Sequence, residues 1–384
     1  MNFEFATAEQ IIFGSGKINE VGSRIAAFGK RALVVLGLDD RLARSLFKVL
    51  NEHQLDYFLY HVEHEPTVEL VQLGIQAARN HKCDLVISFG GGSAIDTGKA
   101  IAALLKNPGN LMKYLEVVGE GLPLKEAPVP FIAIPTTSGT GAEVTRNAVI
   151  EVPEESVKVS LRSPLMLPKL AIIDPMLTIS LPPAVTAYTG LDALTQVIEP
   201  YVSNKANPLT DGLCREGIQR AAISLPRVYE DGNDLLSREN MAVSSLFGGL
   251  ALANAKLGAV HGIAGPFGGM YHAPHGAVCA RLLPFVMQAN LDALREREPT
   301  SEVLHRYGEI AQMLTGESNS TADEGIQWVE GICGKFQIPP LSQYGLTEMD
   351  FPDLIFKSMR ASSMKGNPIE LNEQELGTIL RKSL

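Results

Sequence analysis

Short apolar runs alternate with longer amphipathic segments through the first 180 residues of this 384-residue chain. The predicted strands include ALVVLG (32–37), YFLYHV, DLVISFGG, PFIAIP, NAVIEV, VKVSL and KLAIIDP. The predicted helices between them include RLARSLFKVLNEH, VELVQLGIQAARNH and AIDTGKAIAALL. Strand–helix alternation of this kind indicates βαβ units and a parallel sheet.

The pattern changes after SLPP (180–183), where strand-like runs nearly vanish. From Ala184 onward the apolar residues have helical spacing, as in AVTAYTGLDALTQVIEPYV and SRENMAVSSLFGGLALANAKLGAVHGIAGP. The sequence therefore predicts an α/β domain over residues 1–180 and an all-helical domain over residues 181–384.

Charge and cysteine usage exclude several classes of protein. A net charge of -10 without any basic block disfavours nucleic-acid binding. Four scattered cysteines without a CxxC pair fit a reducing cytosol better than a disulfide framework. The chain shows neither a signal-peptide pattern nor an apolar run of the ~18 residues that a membrane span needs. We expect a cytoplasmic protein that binds neither nucleic acid nor membrane.

Two glycine-rich loops follow predicted strands. In FGGGSAID, the residues Gly91, Gly92 and Ser93 stand where a strand ends and a helix begins, a geometry that suits phosphate binding. The motif is neither the Rossmann G-x-G-x-x-G nor a P-loop, and a tight turn with a serine cap is the alternative. PTTSGTGAE (135–143) places several hydroxyls beside two glycines after another apolar run. Two such loops at the carboxyl ends of parallel strands predict a dinucleotide site.

Three histidines lie close together in the second half, separated by glycine and proline. His261, His272 and His275 fall within fifteen positions of GAVHGIAGPFGGMYHAPHGAV. Asp192 and Gln196 are four apart in TGLDALTQVIE and so share one helix face, as ligands or as a hydrogen-bonded pair. A carboxylate with imidazoles suits Zn²⁺ or Fe²⁺ rather than Ca²⁺ or Mg²⁺.

These motifs resemble the iron-dependent (group III) alcohol dehydrogenase family over nearly the whole chain. The resemblance rests on GGGSAIDTGKA, PTTSGTGAE, AIIDPMLTISLPPAVTAYTGLDALTQVIE and VHGIAGPFGGMYHAPHG. It implies an N-terminal Rossmann-like domain and an all-α C-terminal domain, the architecture of dehydroquinate synthase.

The resemblance also implies site residues. Pyrophosphate contacts fall on Gly91, Gly92 and Ser93, with Asp96 just behind. Thr136, Thr137 and Thr140 line the nucleotide, Lys158 reaches the ribose next to the nicotinamide, and Leu177 borders the same site. The implied metal ligands are Asp192, His261 and His275.

Three positions depart from the family pattern. The family often has a histidine where this chain has Gln196, and another where it has Gly265. Gln196 is a weaker metal ligand that shares the face of Asp192. Members that prefer NAD can carry aspartate where this chain has Gly37. Glycine there removes repulsion of a 2′-phosphate and Arg41 could attract it, whereas Asp39 and Asp40 oppose it. We therefore expect NADP to be tolerated, unless Gly37 is only a turn residue.

The predicted function is that of an NAD(P)-dependent, metal-dependent alcohol dehydrogenase or aldehyde reductase. It would act on a small primary alcohol or aldehyde, with NAD or NADP and one divalent metal, iron or zinc. His272 is a candidate proton relay, or a loop residue that only forms hydrogen bonds. We also expect a homodimer.

Two alternatives keep the fold but change the function. One is a lyase similar to dehydroquinate synthase, disfavoured because few basic residues lie near His261–His275 to hold an anionic substrate. The other is a non-catalytic, metal-free nucleotide-binding relative, suggested by Gln196 and Gly265.

Overall fold

The computed structural model describes residues 2–37 and 40–384. Its strands are β1 (Ile11–Phe13), β2 (Arg31–Leu36), β3 (Asp56–His61), β4 (Leu85–Gly90), β5 (Phe131–Pro135), β6 (Asn147–Val152), β7 (Val157–Arg162) and β8 (Leu170–Ile173). Six of them form a sheet in the order β1-β8-β5-β4-β2-β3, and every neighbouring pair is parallel. Every residue of the inner strands β4, β5 and β8 is buried, as expected for a parallel sheet covered on both faces. The predicted α/β class is confirmed.

Two predicted strands lie outside this sheet. NAVIEV and VKVSL form β6 and β7, which pair antiparallel with each other. The buried ammonium of Lys99 donates to the carbonyls of Ala142 (2.7 Å) and Asn147 (2.8 Å) and to Oγ1 of Thr145 (3.0 Å). Lys99 thereby holds the start of the β6–β7 hairpin against the helix Gly92–Lys106, to which Lys99 belongs.

The helices of the α/β part are α1 (Gly22–Ala26), α2 (Arg44–Glu52), α3 (Val68–Asn80) and α4 (Gly92–Lys106). Helix α3 shows how sequence produces them. Its buried residues Val71, Gly74, Ile75 and Ala78 follow the i, i+3, i+4, i+7 spacing of one helix face. Oγ1 of Thr67 accepts from the backbone N–H of Leu70 (3.1 Å) and caps its first turn.

The remaining helices are α5 (Pro183–Val202), α6 (Pro208–Glu230), α7 (Leu235–Ala255), α8 (Ala259–Tyr271), α9 (His275–Arg297), α10 (Glu302–Thr315), α11 (Ala322–Lys335), α12 (Phe351–Arg360) and α13 (Glu373–Ser383). Helix α5 packs against α6, α7 and α9, and it is buried on every face from Gly190 to Val202. Any polar residue of this segment is therefore held inside the helical core.

The stretch that we predicted as one helical pattern from Ser237 onward is two helices, α7 and α8. The chain turns at Lys256, whose φ is 64°, and α8 begins after Gly258. The backbone N–H groups of Ala259 and Val260 donate to side chains of Asn367 (3.0 Å) and Glu199 (2.7 Å). A Cβ on Gly258 would lie 2.9 Å from both acceptor oxygens, so only glycine lets these side chains cap α8.

The structure divides into two compact units. One consists of Ala6–Thr137 and Gly141–Ser180, and the other of Leu181–Leu384, the described residues before Ala6 and the segment Ser138–Thr140. The division thus differs from a single cut after residue 180, because two short segments are grouped with the helices.

Among residues 2–37 and 40–384, no single helix has the length and apolar composition to cross a membrane. Helices α7 and α8 together satisfy both criteria, but they are bent by 98° at their junction.

Candidate functional site

The first glycine-rich loop and the start of the second, as far as Thr137, are neighbours in the α/β unit. Strands β4 and β5 pair so that Gly90 lies opposite Pro135, and the N–H of Thr136 donates to the carbonyl of Gly90 (3.0 Å). Gly91 is the N-cap of α4, and Gly92 and Ser93 open that helix. The loop that precedes a 15-residue helix therefore lies beside the hydroxyl-rich segment that follows β5.

Protein packing leaves no room for a side chain at Gly90 and little at Gly37. A Cβ on Gly90 would lie 2.7 Å from Cβ of Ala94 and 2.9 Å from the nitrogen of Gly37. A Cβ on Gly37 would lie 3.0 Å from Cβ of Ala94. Gly37 therefore has a reason to be glycine that is independent of cofactor charge.

Gly91 differs from these two glycines, because the surrounding protein leaves room for a side chain at this position. A Cβ there would be in ordinary contact with Thr137, at 3.4 Å. Oγ1 of Thr136 is buried and has no hydrogen-bond partner among the described residues. An unsatisfied buried hydroxyl beside a glycine-rich helix start is what a phosphate or ribose would complete.

The other residues assigned to the nucleotide are less closely grouped. Oδ2 of Asp96 accepts from the N–H of Val149 (3.0 Å) and so braces the hairpin. Lys158 lies on β7 with its side chain 5% exposed, 3.7 Å from Glu65, and its Nζ has no hydrogen-bond partner in the described parts of the chain. Leu177 packs on the sheet core in a turn after β8.

The remaining sequence predictions in this region concern four residues, of which Arg41 is exposed. Thr140 belongs to the segment grouped with the helical unit. Asp40 lies 3.5 Å from the His61 ring. Asp39, which we expected to oppose a 2′-phosphate, lies outside the described residues.

In the helical unit, three helices bring four possible metal ligands together. Asp192 comes from α5, His261 from α8, and His275 and Cys279 from the first turns of α9. Each offers one ligand atom, and the four atoms lie within 4.8 Å of one another. Three of the four side chains are buried and that of His275 is partly buried.

His261 is held by two carboxylates. Its Nδ1 lies 2.7 Å from Oε2 of Glu199, whose other oxygen accepts from the N–H of Val260. Its Nε2 lies 3.2 Å from Oδ1 of Asp192, yet neither of these two buried atoms has a hydrogen-bond partner among the described residues. With Nδ1–H donated to Glu199, Nε2 faces Oδ1 of Asp192 as the second N–H of a protonated ring or, in the neutral ring, as an acceptor beside another acceptor.

The surroundings of these groups stabilise positive charge. Burial acts to raise the pKa of Asp192, but His261 and His275 lower it overall. Burial acts to lower the pKa of His261, but Cys279 and two neighbouring carboxyl groups raise it well above its usual value. Burial also acts to lower the pKa of His275, but Cys279 and Asp192 raise it to about 9. Positive charge on or between these side chains is therefore favoured.

Gln196 lies one turn after Asp192 and is also buried. Its side-chain amide is one of the groups that lower the pKa of the Asp192 carboxyl. Its Oε1 has no hydrogen-bond partner in the described part of the chain. Gly265, the other departure from the family pattern, has open space, since a Cβ there would meet nothing within 4 Å.

His272 is not one of the four grouped residues. It is exposed and ends α8 in the left-handed conformation, with φ of 50°. Its N–H donates to the carbonyl of Gly268 (3.1 Å).

Sequence reasoning missed Glu199 and Cys279. Glu199 is seven residues after Asp192, two turns along the same face of an otherwise apolar helix. Cys279 is four residues after His275, again on one face. The helical spacing that related Gln196 to Asp192 could have found both.

Comparisons with known proteins agree along the whole chain. Residues 8–175 match the family described as iron-containing alcohol dehydrogenase, and residues 186–384 match the C-terminal family of Fe-containing alcohol dehydrogenases. Alcohol dehydrogenase 4 of Saccharomyces cerevisiae is 35% identical over 381 residues, covering 97% of this chain and 96% of that protein.

Solved structures are similar over the same length. That of 1,3-propanediol oxidoreductase superposes with a TM-score of 0.92 at 32% identity and covers 100% of both chains. Sulfoacetaldehyde reductase from Bifidobacterium kashiwanohense in complex with NAD+ has a TM-score of 0.86 at 26% identity, covering 100% of this chain and 99% of that one.

Proposed function

The chain belongs to the iron-containing alcohol dehydrogenase family, and from this premise we propose that it interconverts a small primary alcohol and its aldehyde with NAD(P) and one divalent metal. As a member it is an alcohol dehydrogenase, an oxidoreductase that acts on CH–OH groups. The lyase alternative is thereby set aside.

The observation that carries the metal proposal is the pair formed by Nε2 of His261 and Oδ1 of Asp192. The buried carboxylate oxygen and ring nitrogen, 3.2 Å apart, need a proton or a metal ion between them. Glu199 fixes the ring of His261, as outer carboxylates do for ligating histidines. We assign Asp192, His261 and His275 as ligands, with Gln196 adjacent as a weak oxygen ligand or a hydrogen-bond donor to Asp192.

A divalent ion held there would supply Lewis-acid stabilisation of negative charge on the substrate oxygen. Asp192 contributes the charge that two neutral imidazoles lack. Glu199 keeps the Nδ1 proton of His261, so that Nε2 stays free to ligate. His272 remains the proposed proton relay.

The nucleotide proposal is supported by the first glycine-rich loop and by the adjacent start of the second, both in the α/β unit. Gly91, Gly92 and Ser93 offer backbone N–H groups at the start of α4, and Thr136 offers an unsatisfied hydroxyl. Thr137, Thr140, Asp96, Lys158 and Leu177 complete the assigned set. The similar sulfoacetaldehyde reductase was solved with NAD+. Because no acidic side chain stands at Gly37, we propose that NADPH is accepted as well.

The test is a panel of primary alcohols and aldehydes with NAD(H) and NADP(H), run on chelator-free protein with added Fe²⁺ or Zn²⁺. We expect bound divalent metal and turnover that chelators abolish. His261→Ala should lose both metal and turnover, whereas Gln196→His should bind metal more tightly. Protein without metal that turns over no substrate with either ion would instead support a metal-free relative.

A further inference from the structure

The sulfur of Cys279 is placed as the fourth member of the metal-binding group. The side chain is fully buried, and its Sγ lies 3.5 Å from Nε2 of His275. It also lies within 4.8 Å of the ligand atoms of Asp192 and His261. Resting on the metal centre proposed above, we propose that Cys279 ligates the same ion through its thiolate sulfur.

The separations between atoms fit a shared ion. Zinc–sulfur bonds of about 2.3 Å and zinc–nitrogen bonds of about 2.0–2.1 Å place tetrahedral S and N ligands about 3.6 Å apart. Sγ of Cys279 and Nε2 of His275 are 3.5 Å apart. For an oxygen–nitrogen pair the same geometry gives about 3.4 Å. Oδ1 of Asp192 and Nε2 of His261 are 3.2 Å apart.

Charge also favours ligation. One carboxylate, one thiolate and two neutral imidazoles carry two negative charges, which balance a divalent ion. Without an ion, a buried carboxylate would face a thiol and two ring nitrogens with Oδ1 of Asp192 and Nε2 of His261 unsatisfied.

The other buried cysteines of the helical unit have different surroundings. Burial raises the pKa of Cys333 to about 12, and its Sγ donates to the carbonyl of Ala280 (3.3 Å). Burial raises the pKa of Cys214 well above its usual value. Neither belongs to a group of possible ligands within the described residues. Cys214 is as fully buried as Cys279 and is the matched control.

The consequence is a ligand set of one carboxylate, two imidazoles and one thiolate, to which the substrate oxygen would add as a fifth ligand. Cys279 then supplies the fourth strong donor that Gln196 does not. Because thiolate is softer than imidazole, this set favours zinc over iron.

Reconstitution with Co²⁺ tests the assignment independently of turnover. Visible d–d bands report that the ion is bound, and a near-ultraviolet sulfur-to-cobalt charge-transfer band reports a thiolate ligand. We expect both signals in the wild-type protein and in Cys214→Ala. Cys279→Ala should keep the visible bands, lose the charge-transfer band and bind Zn²⁺ more than about tenfold more weakly, since even outer-shell partners contribute about 10–100-fold.

The outcomes separate this inference from the proposed function. Visible bands without a charge-transfer band in the wild type would overturn ligation by Cys279 and leave the metal centre standing. The thiol would then only hydrogen-bond to His275. No cobalt spectrum at all would overturn both. If Cys279→Ala fails to fold, the wild-type spectrum and that of Cys279→Ser still decide.

Discussion

Gly37 is the residue at which packing and cofactor charge act together. A Cβ there meets Cβ of Ala94 at 3.0 Å, so Gly37→Ala should destabilise the α/β unit by about 1–3 kcal/mol, as overpacking does. Gly37→Asp adds a charge to the same packing change. Relative to Gly37→Ala, it should lower kcat/KM for NADPH by about tenfold or more and leave NADH nearly unaffected, because a carboxylate repels a 2′-phosphate. Equal losses with both cofactors in steady-state assays would contradict this.

Glu199 is a positioning residue for His261. Glu199→Gln keeps an oxygen for the N–H of Val260 but weakens the acceptor for Nδ1–H. We expect metal affinity to fall by about 10–100-fold with secondary structure unchanged. Competition with a chromogenic chelator measures the affinity, and circular dichroism monitors the fold. An unchanged affinity would mean that the Glu199 carboxylate only caps α8.

His272 can be tested without disturbing its turn. Asparagine tolerates the left-handed backbone, so His272→Asn should preserve the end of α8. If His272 relays a proton, kcat should fall by about 10²–10⁴-fold, the range of general acid–base catalysis, and its pH profile should lose one limb. Metal content should stay the same. Wild-type kcat in this variant would leave His272 with a structural role.

At the scale of elements, the start of α4 carries the phosphate proposal. Gly92→Val places a branched side chain at the first residue of the helix, where the pyrophosphate would lie. NADH affinity, measured by fluorescence titration, should fall below detection. Gly212→Val is the control, since Gly212 lies in α6 with nothing within 4 Å of an added Cβ. Retained affinity in a folded Gly92→Val protein would contradict the assignment.

The sequence predicted long elements better than short or interrupted ones. The inner strands are continuous buried runs, so each was predicted from its apolar residues. Strand β1 has three partly buried residues, too few to show a period. The break between α7 and α8 depends on caps from Glu199 and Asn367, which are distant in sequence.

In the candidate metal site, too, local sequence features were predicted and contacts between distant residues were not. Asp192 stands out because a carboxylate in an apolar helix needs a partner, and the histidines cluster in sequence. Glu199 and Cys279 stand at helical spacing from Asp192 and His275, but their proximity to His261 and Asp192 on other helices arises only when three helices meet. The departure at Gln196 is visible in the sequence, whereas the proximity of the Cys279 thiol to the other ligand atoms depends on how the helices pack.

At the scale of the molecule, a buried pair makes the stability of the α/β unit depend on pH. Burial raises the pKa of Glu143 to about 7. Burial lowers the pKa of Lys99 to about 8; the negative charge of Asp96 opposes this shift, and the positive charge of Arg162 adds to it. The folded state keeps the Glu143 proton that the unfolded chain releases near pH 4.5, so this contribution to the free energy of unfolding falls between pH 4.5 and 7. The Lys99 contribution rises between pH 8 and 10.5, because the unfolded chain holds that proton longer.

Glu143→Gln isolates the lower range. Relative to this variant, the wild-type free energy of unfolding should fall by on the order of 1–3 kcal/mol from pH 4.5 to 7. Urea unfolding at a series of pH values measures the difference. A difference that is constant with pH would mean that Glu143 is ionised in the folded protein throughout this range.

The pairing of β1 with β8 has a consequence for how the chain is made. Ile11 lies opposite Ala171, which is 160 residues further along. At about 5–20 residues per second, a ribosome needs roughly 8–30 s between these two strands. During that time β1 has no partner, and once β5 has been made its edge is also open until β8 follows; an open sheet edge can pair with another chain. Because β8 lies between β1 and β5, its emergence closes both gaps at once, and the first strand synthesised is among the last to be paired.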